Sequence, residues 1–109
     1  MKVNMNKPFV GFDGKVLKVT DQTTNELRTI FVSETLAQTM FNASTLQNAP
    51  MSQENKFAAF KICQKIIQNP SCVELTSEEI VLIKAIAAQD MSAGAYGQVV
   101  ELLEQTDSQ

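Results

Sequence analysis

Leu75-Thr76-Ser77-Glu78-Glu79-Ile80, continued by Val81-Leu82-Ile83-Lys84-Ala85-Ile86-Ala87-Ala88-Gln89, is the stretch that decides the fold. Thr76 and Glu79 stand three apart, the spacing at which a threonine hydroxyl accepts from the amide of the third helical residue while that residue's carboxylate reaches back to the cap amide. Leu75 and Ile80 bracket the pair as a hydrophobic staple, so a helix begins at Ser77. It runs to about residue 89. Its circumference is apolar except for Glu78, Glu79 and Lys84, which predicts a central position with neighbours on several sides. The stretch contains no nucleophile with a base, no metal-ligand cluster and no phosphate loop, and reads as a packing unit.

Towards the C-terminus, Ser92 caps a further helix reaching about residue 105 and carrying Tyr96, Val99, Val100, Leu102 and Leu103. Gly94 and Gly97 each cost up to about 1 kcal/mol inside a helix relative to alanine. Two readings offset that cost: close packing, with the alanines of the preceding helix as partner, or a backbone site for a ligand. Residues 106–109 are a tail. Towards the N-terminus, Ser52 caps a helix that Asn69-Pro70 stops near residue 68, because the residue before proline is driven from helical angles. At about 100° per residue its Ala59, Ile62, Cys63, Ile66 and Ile67 share one face and Lys61, Gln64, Lys65 and Gln68 the other. Phe60 is assigned to the core and Phe57 to the partly exposed edge of the apolar arc.

A short helix over residues 34–43, with Ser33 as N-cap, follows from the spacing of Leu36, Ala37, Met40 and Phe41. Residues 44–50, polar and closed by Pro50, read as a mobile loop. Phe9-Val10-Gly11-Phe12 and Lys15-Val16-Leu17-Lys18-Val19-Thr20 flank Asp13-Gly14, a pair suited to a type I′ turn, and predict a β-hairpin. Residues 26–32 supply a third strand. The expected architecture is α+β and mainly helical: one domain over 1–109, strand-rich in 1–32 and helical in 33–105. A hairpin or three-strand meander packs on about four helices, burying one face on the second and third.

At 109 residues and 44% hydrophobic the chain has the size of one core. Its net charge of −3 is unevenly placed. Residues 1–28 carry Lys2, Lys7, Lys15, Lys18 and Arg28 against Asp13, Asp21 and Glu26, a net of +2. Residues 29–73 carry three lysines against two glutamates, a net of +1, while residues 74–109 set Lys84 against seven acids, a net of −6. Polyanions are held by clustered cations, and the longest helix offers only Lys56, Lys61 and Lys65, which disfavours nucleic acid as a partner. No run approaches the roughly 20 apolar residues of a membrane span, and no signal-peptide pattern opens the chain, so neither a membrane nor secretion is expected. Cytoplasmic residence and reduced thiols at Cys63 and Cys72 follow.

Histidine is absent, which removes the commonest general base and metal ligand. Glu78 and Glu79 are explained by the helix start, Asp13 by its turn, and Glu101 and Glu104 by a solvent face. Cys63 lies on an apolar face where burial raises a thiol's pKa, and Cys72 has no evident base. Neither a catalytic residue nor a cofactor or metal is expected. What remains is contact with other proteins. Phe57, Met91 and Tyr96 are the candidate partner-binding residues: an aromatic at a helix edge, an adaptable thioether beyond a helix end, and the one tyrosine.

Phe12-Asp13-Gly14-Lys15-Val16-Leu17, Val73-Glu74-Leu75-Thr76-Ser77-Glu78-Glu79-Ile80-Val81-Leu82-Ile83-Lys84 and Gly97-Gln98-Val99-Val100-Glu101-Leu102-Leu103-Glu104 together resemble short proteins encoded in bacteriophage and prophage genomes. The resemblance spans most of the chain and implies a viral origin and a bacterial host cytoplasm. It implies no catalytic residues. The expected function is that of a non-enzymatic phage accessory protein binding a viral or host protein, as an assembly factor or a modulator. A nucleic-acid-associated factor using Lys56, Lys61 and Lys65 and a thiol-dependent enzyme at Cys72 are the alternatives, and a homo-oligomer is a further outcome because the apolar third helix needs covering.

Overall fold

The computed structural model describes residues 1–107, with side chains described for residues 1–104. Six short strands and four helices follow in the order β1 (Lys2–Val3), β2 (Lys18–Thr20), β3 (Leu27–Thr29), α1 (Val32–Asn42), β4 (Thr45–Leu46), β5 (Ala49–Pro50), α2 (Gln53–Gln68), β6 (Val73–Glu74), α3 (Ser77–Asp90) and α4 (Ala93–Asp107). The fold is α+β and mainly helical, as the periodicities predict. The expected tail is shorter, since α4 continues through Asp107; Ser108 and Gln109 lie outside the described residues.

An extended N-terminal thread joins the parts. Lys2 and Val3 pair antiparallel with Glu74 and Val73, and the Leu75 amide donates to the Met1 carbonyl at 2.7 Å. Further along, the Met5 amide donates to Pro70 (2.8 Å), while the carbonyls of Met5 and Lys7 accept from the Ser33 and Val32 amides at 3.0 and 2.8 Å. Those two amides belong to the first turn of α1, whose donors have no partner within the helix. This corrects the reading of Ser33 as N-cap: the cap is Phe31, without a side-chain bond, and Ser33 is buried. Strand alternation turns Val3 and Met5 into the core, and Phe9 follows them inward.

Beyond Phe9 the strands close on themselves. The Phe9 amide donates to Ile30 (2.8 Å), the Ile30 amide to Leu17 (3.1 Å) and the Leu17 amide to Phe9 (2.8 Å), a ring of three backbone bonds. β2 and β3 extend from it as an antiparallel ribbon exposed on both faces, so the expected burial of one sheet face on the second and third helices is not what forms. The strand packed among the helices is instead the β1–β6 pair, buried at Val3 and Val73. The first hairpin is also wider than a two-residue turn. Gly11 donates to Lys15 across three loop residues, and Gly14 at φ 80° takes the left-handed place that closes such a loop.

Residues 44–50, read as a mobile loop, form the β4–β5 hairpin. Gln47 and Asn48 both hold positive φ (53° and 64°), the pattern of a type I′ turn made without glycine. The hairpin is fastened from outside: the Gln89 amide group donates to the Thr45 hydroxyl (2.7 Å) and carbonyl (3.2 Å).

α2 starts on Ser52, whose hydroxyl accepts from the Asn55 amide, and ends at Asn69 as the proline requires. α3 begins at Ser77 with the full capping box: Glu79 N–H to Thr76 Oγ1 at 3.1 Å and Thr76 N–H to Glu79 Oε1 at 2.9 Å. Lys65 of α2 adds a two-pronged contact, Nζ lying 2.8 Å from both Glu79 carboxylate oxygens. One glutamate thus ends the cap and ties two helices. Burial by itself raises its pKa, but the bonds from Lys65 and Thr76 outweigh burial and hold the carboxyl below its ordinary 4.5.

Ile80, Ile83, Ile86 and Ala87 of α3 join Val99 and Leu103 of α4 in one core with Leu36, Met40, Ile62, Ile66 and the N-terminal thread. α3 is less enclosed than its composition implies, with Val81 exposed. Gly94 and Gly97 do not mediate close packing either: a methyl group built on either meets no atom within 4 Å. That face of α4 is open, and the bond that fixes the helix comes from Gln98, whose side-chain amide exchanges two 2.9 Å bonds with the Val10 backbone.

Two outcomes follow. Gly97→Ala, which gains helix propensity without a clash, should raise stability by roughly 0.5–1 kcal/mol in denaturant unfolding; a loss would place a neighbour against that face. Because the Glu79 pKa is lowered on folding, its contribution is present at neutral pH and is lost as pH falls through the lowered value. Glu79→Gln should therefore be less stable at neutral pH and show a shallower loss of stability on acidification than the parent chain.

Candidate functional surface

α2 has more apolar surface than the core uses. By the helical angle, its apolar residues from Ile62 round to Phe57 span about 220° of the circumference. α1 and α3 cover only the part bearing Ala59, Ile62 and Ile66, which are buried. On the uncovered part Phe57 is 59% exposed, Phe60 41% and Ile67 64%, with Cys63 half-buried at the boundary. α1 contributes Phe41, 63% exposed, across a shallow groove of about 430 Å³ floored by Ala37, Cys63 and Ile67. Phe60, Cys63 and Ile67 follow the i, i+3, i+7 spacing of one helix face. The stripe is therefore parallel to the helix axis.

Its rim is ordered and cationic. The Phe57 and Phe60 rings lie 6.5 Å apart at a 33° tilt, and Lys61 Nζ sits 5.3 Å from the Phe57 ring centroid, within cation–π range. Lys56 and Lys61 are exposed beside the rings, whereas Lys65 is engaged by Glu79. The cationic face on which nucleic-acid binding would rest is thereby reduced to two lysines without a carboxylate partner among the described residues, one of them over Phe57.

The three residues singled out from the sequence fall on different elements. Phe57 belongs to the exposed stripe. Met91 is the C-cap of α3, half-buried and packed against the core, and Tyr96 is half-buried on α4. Phe41, Phe60 and Ile67 went unrecognised as surface residues, Phe60 and Ile67 because helical periodicity assigns them to an inward face. The signal was present in the width of the apolar arc, which exceeds what one flank of neighbours covers.

Cys72 is exposed, in a loop depression with Gln68, Asn69 and Glu74. Burial pushes the Cys63 thiol above its ordinary range. Among the described residues no group of three His, Cys, Asp or Glu side chains is placed to hold a metal ion, and no helix is long and apolar enough to cross a membrane. No known family model, curated protein or solved structure matches the chain.

The thiolate is the reacting form, so an alkylating reagent at neutral pH should modify Cys72 well before Cys63. Peptide mass spectrometry over a labelling time course reads the order directly; equal rates would mean that the α1–α2 groove opens more than its packing implies.

Proposed function

We propose that this chain is a non-enzymatic accessory protein of a bacteriophage, acting in the host cytoplasm by binding a viral or host protein along the α1–α2 stripe. The observation that carries the reading is the stripe itself. Phe41, Phe57, Phe60 and Ile67 are each 41% or more exposed on adjoining helices, although the same helices bury Leu36, Met40, Ile62 and Ile66 completely. Fully burying one large apolar side chain contributes about 1.5–3 kcal/mol, so covering four half-exposed ones supplies a substantial part of a specific association. Single exposed apolar residues are ordinary; a run of them on one helix face next to a groove marks an interaction surface.

The shape favours a helical partner segment. Phe57 to Ile67 spans about 15 Å, close to three turns, and a ridge of i, i+3 and i+7 residues is read by an amphipathic helix laid along it. Lys56 and Lys61 at the rim call for acidic residues beside that segment's apolar face, which would speed encounter and set orientation. The bacteriophage setting rests on the sequence resemblance, and the protein-binding role on the stripe.

Phe41→Ser, Phe60→Ser and Ile67→Ser act at exposed positions and should leave the unfolding midpoint nearly unchanged. Affinity capture from infected bacteria with the parent chain should retain a discrete partner that the triple variant loses, with a drop in affinity of at least about 100-fold. Equal retention by both would overturn the assignment of the surface. Capture of a second copy alone, with sedimentation showing a dimer that the triple variant abolishes, would make this face a self-association interface instead.

A further inference from the structure

On the face of α1 next to the apolar groove lies a pocket of opposite character, about 460 Å³, walled by Thr35, Thr39 and Asn42 of α1, by Ser44 and Thr45 at the start of the β4–β5 hairpin, and by Asp90 of α3. Its lining is polar throughout and includes neither lysine nor arginine. Asn42 and Asp90 are the last residues of their helices, so two helix C-termini converge here, and neither has a basic residue in its last turn. The C-terminal end of a helix carries partial negative charge and ordinarily attracts cations. Asp90 instead puts a full negative charge at that end. The carboxylate is unfavourable for α3 by itself and is uncompensated within the pocket.

The Thr39 hydroxyl donates its proton to the Thr35 carbonyl at 2.8 Å, so towards a further partner it can only accept. Gln89 holds the far wall, donating to Thr45 and, at 3.3 Å, to Asp90 Oδ1. From this geometry we propose that the pocket is a binding site for an organic cation bearing an ammonium or guanidinium group, with Asp90 as counter-ion and the Thr39 and Asn42 side chains as acceptors. One carboxylate among neutral oxygens suits a monovalent cation, since divalent ions recruit several carboxylates. Gln38 and Asn42 line both this pocket and the apolar groove, so a lysine or arginine beside the partner segment's apolar face reaches it without leaving the interface. That placement rests on the protein-binding reading; the site itself does not, because a free amine presents the same group.

The test is a titration of the ¹⁵N-labelled full chain followed by amide chemical shifts, using n-butylammonium chloride and the peptide acetyl-Gly-Lys-Gly-amide, with n-butanol and matched sodium chloride as controls. Saturable shifts at Thr39, Asn42, Thr45 and Asp90, seen with either cation and absent from both controls, are expected. Asp90→Asn, which removes the charge at an exposed helix end and should fold normally, is expected to weaken them about tenfold or more. Response to the peptide alone assigns the site to a partner's side chain, and response to n-butylammonium alone assigns it to a free amine; both uphold it. Shifts reproduced by sodium chloride or n-butanol, equal binding by Asp90→Asn, or no saturable shift with either cation would overturn it. The Phe60→Ser and Ile67→Ser variants, on the far helix from this pocket, should leave the titration unchanged, so failure here is distinguishable from failure of the docking surface.

Discussion

The N-terminal thread is the constraint on which the remaining structure depends. Its backbone bonds reach the α2–α3 connection at Pro70 and Leu75, the first turn of α1 at Val32 and Ser33, and the β meander at Ile30, and Val10 is gripped by Gln98 of α4. α1 in particular starts without a side-chain cap and takes its first bonds from carbonyls more than 20 residues earlier in the chain. Such contacts close large loops, whose entropy must be met before the contacts form. Burial of Val3, Met5 and Phe9 along the same thread supplies the offset.

Around that thread the helices divide their surfaces unequally. α3 receives its position from its capping box and from Lys65, and its isoleucines from the core. α2 gives one arc to the core and leaves Phe57, Phe60 and Ile67 to solvent. A solvent-exposed aromatic pair ordered by a lysine is a poor stabiliser of an isolated chain and a good nucleus for an interface. The same economy holds on α1. Its Leu36, Ala37 and Met40 hold the fold, Phe41 borders the apolar groove, and Thr35 and Thr39 line the polar pocket. Two chemically opposite surfaces thus share one three-turn helix.

Departures from local rules gather on the open surfaces. Glycines inside α4 face empty space, an aspartate ends α3 where the dipole opposes it, and Phe12 stands fully exposed at the tip of the first hairpin. Core positions show the reverse, with propensity, pattern and burial in agreement. Sequences keep local choices consistent with the fold where stability is at stake and relax them where a surface has other work.

Four helix starts or stops were legible in the sequence because each is written in adjacent residues: Ser52, the Asn69-Pro70 stop, Thr76 with Glu79, and Ser92, whose hydroxyl accepts from the Ala95 amide at 3.3 Å. The division read at residue 32 is less sharp in the structure, where α1 already includes Val32 and the short strands β4, β5 and β6 lie beyond it. What adjacent residues do not encode is which arc of an amphipathic helix finds a neighbour. Periodicity placed Phe60 and Ile67 inward, yet burial depends on the finite width of α1 and α3, a property of packing. The β1–β6 pairing escaped notice because two residues at each end of a 70-residue separation carry too little alternation to register, and the hairpin at Gln47-Asn48 because its turn uses no glycine. Sequence alone therefore determined where α2, α3 and α4 begin and which residues of each are apolar; the tertiary structure decided how α1 starts and which apolar and polar faces remain exposed, because those choices are made by contacts between residues distant in the chain.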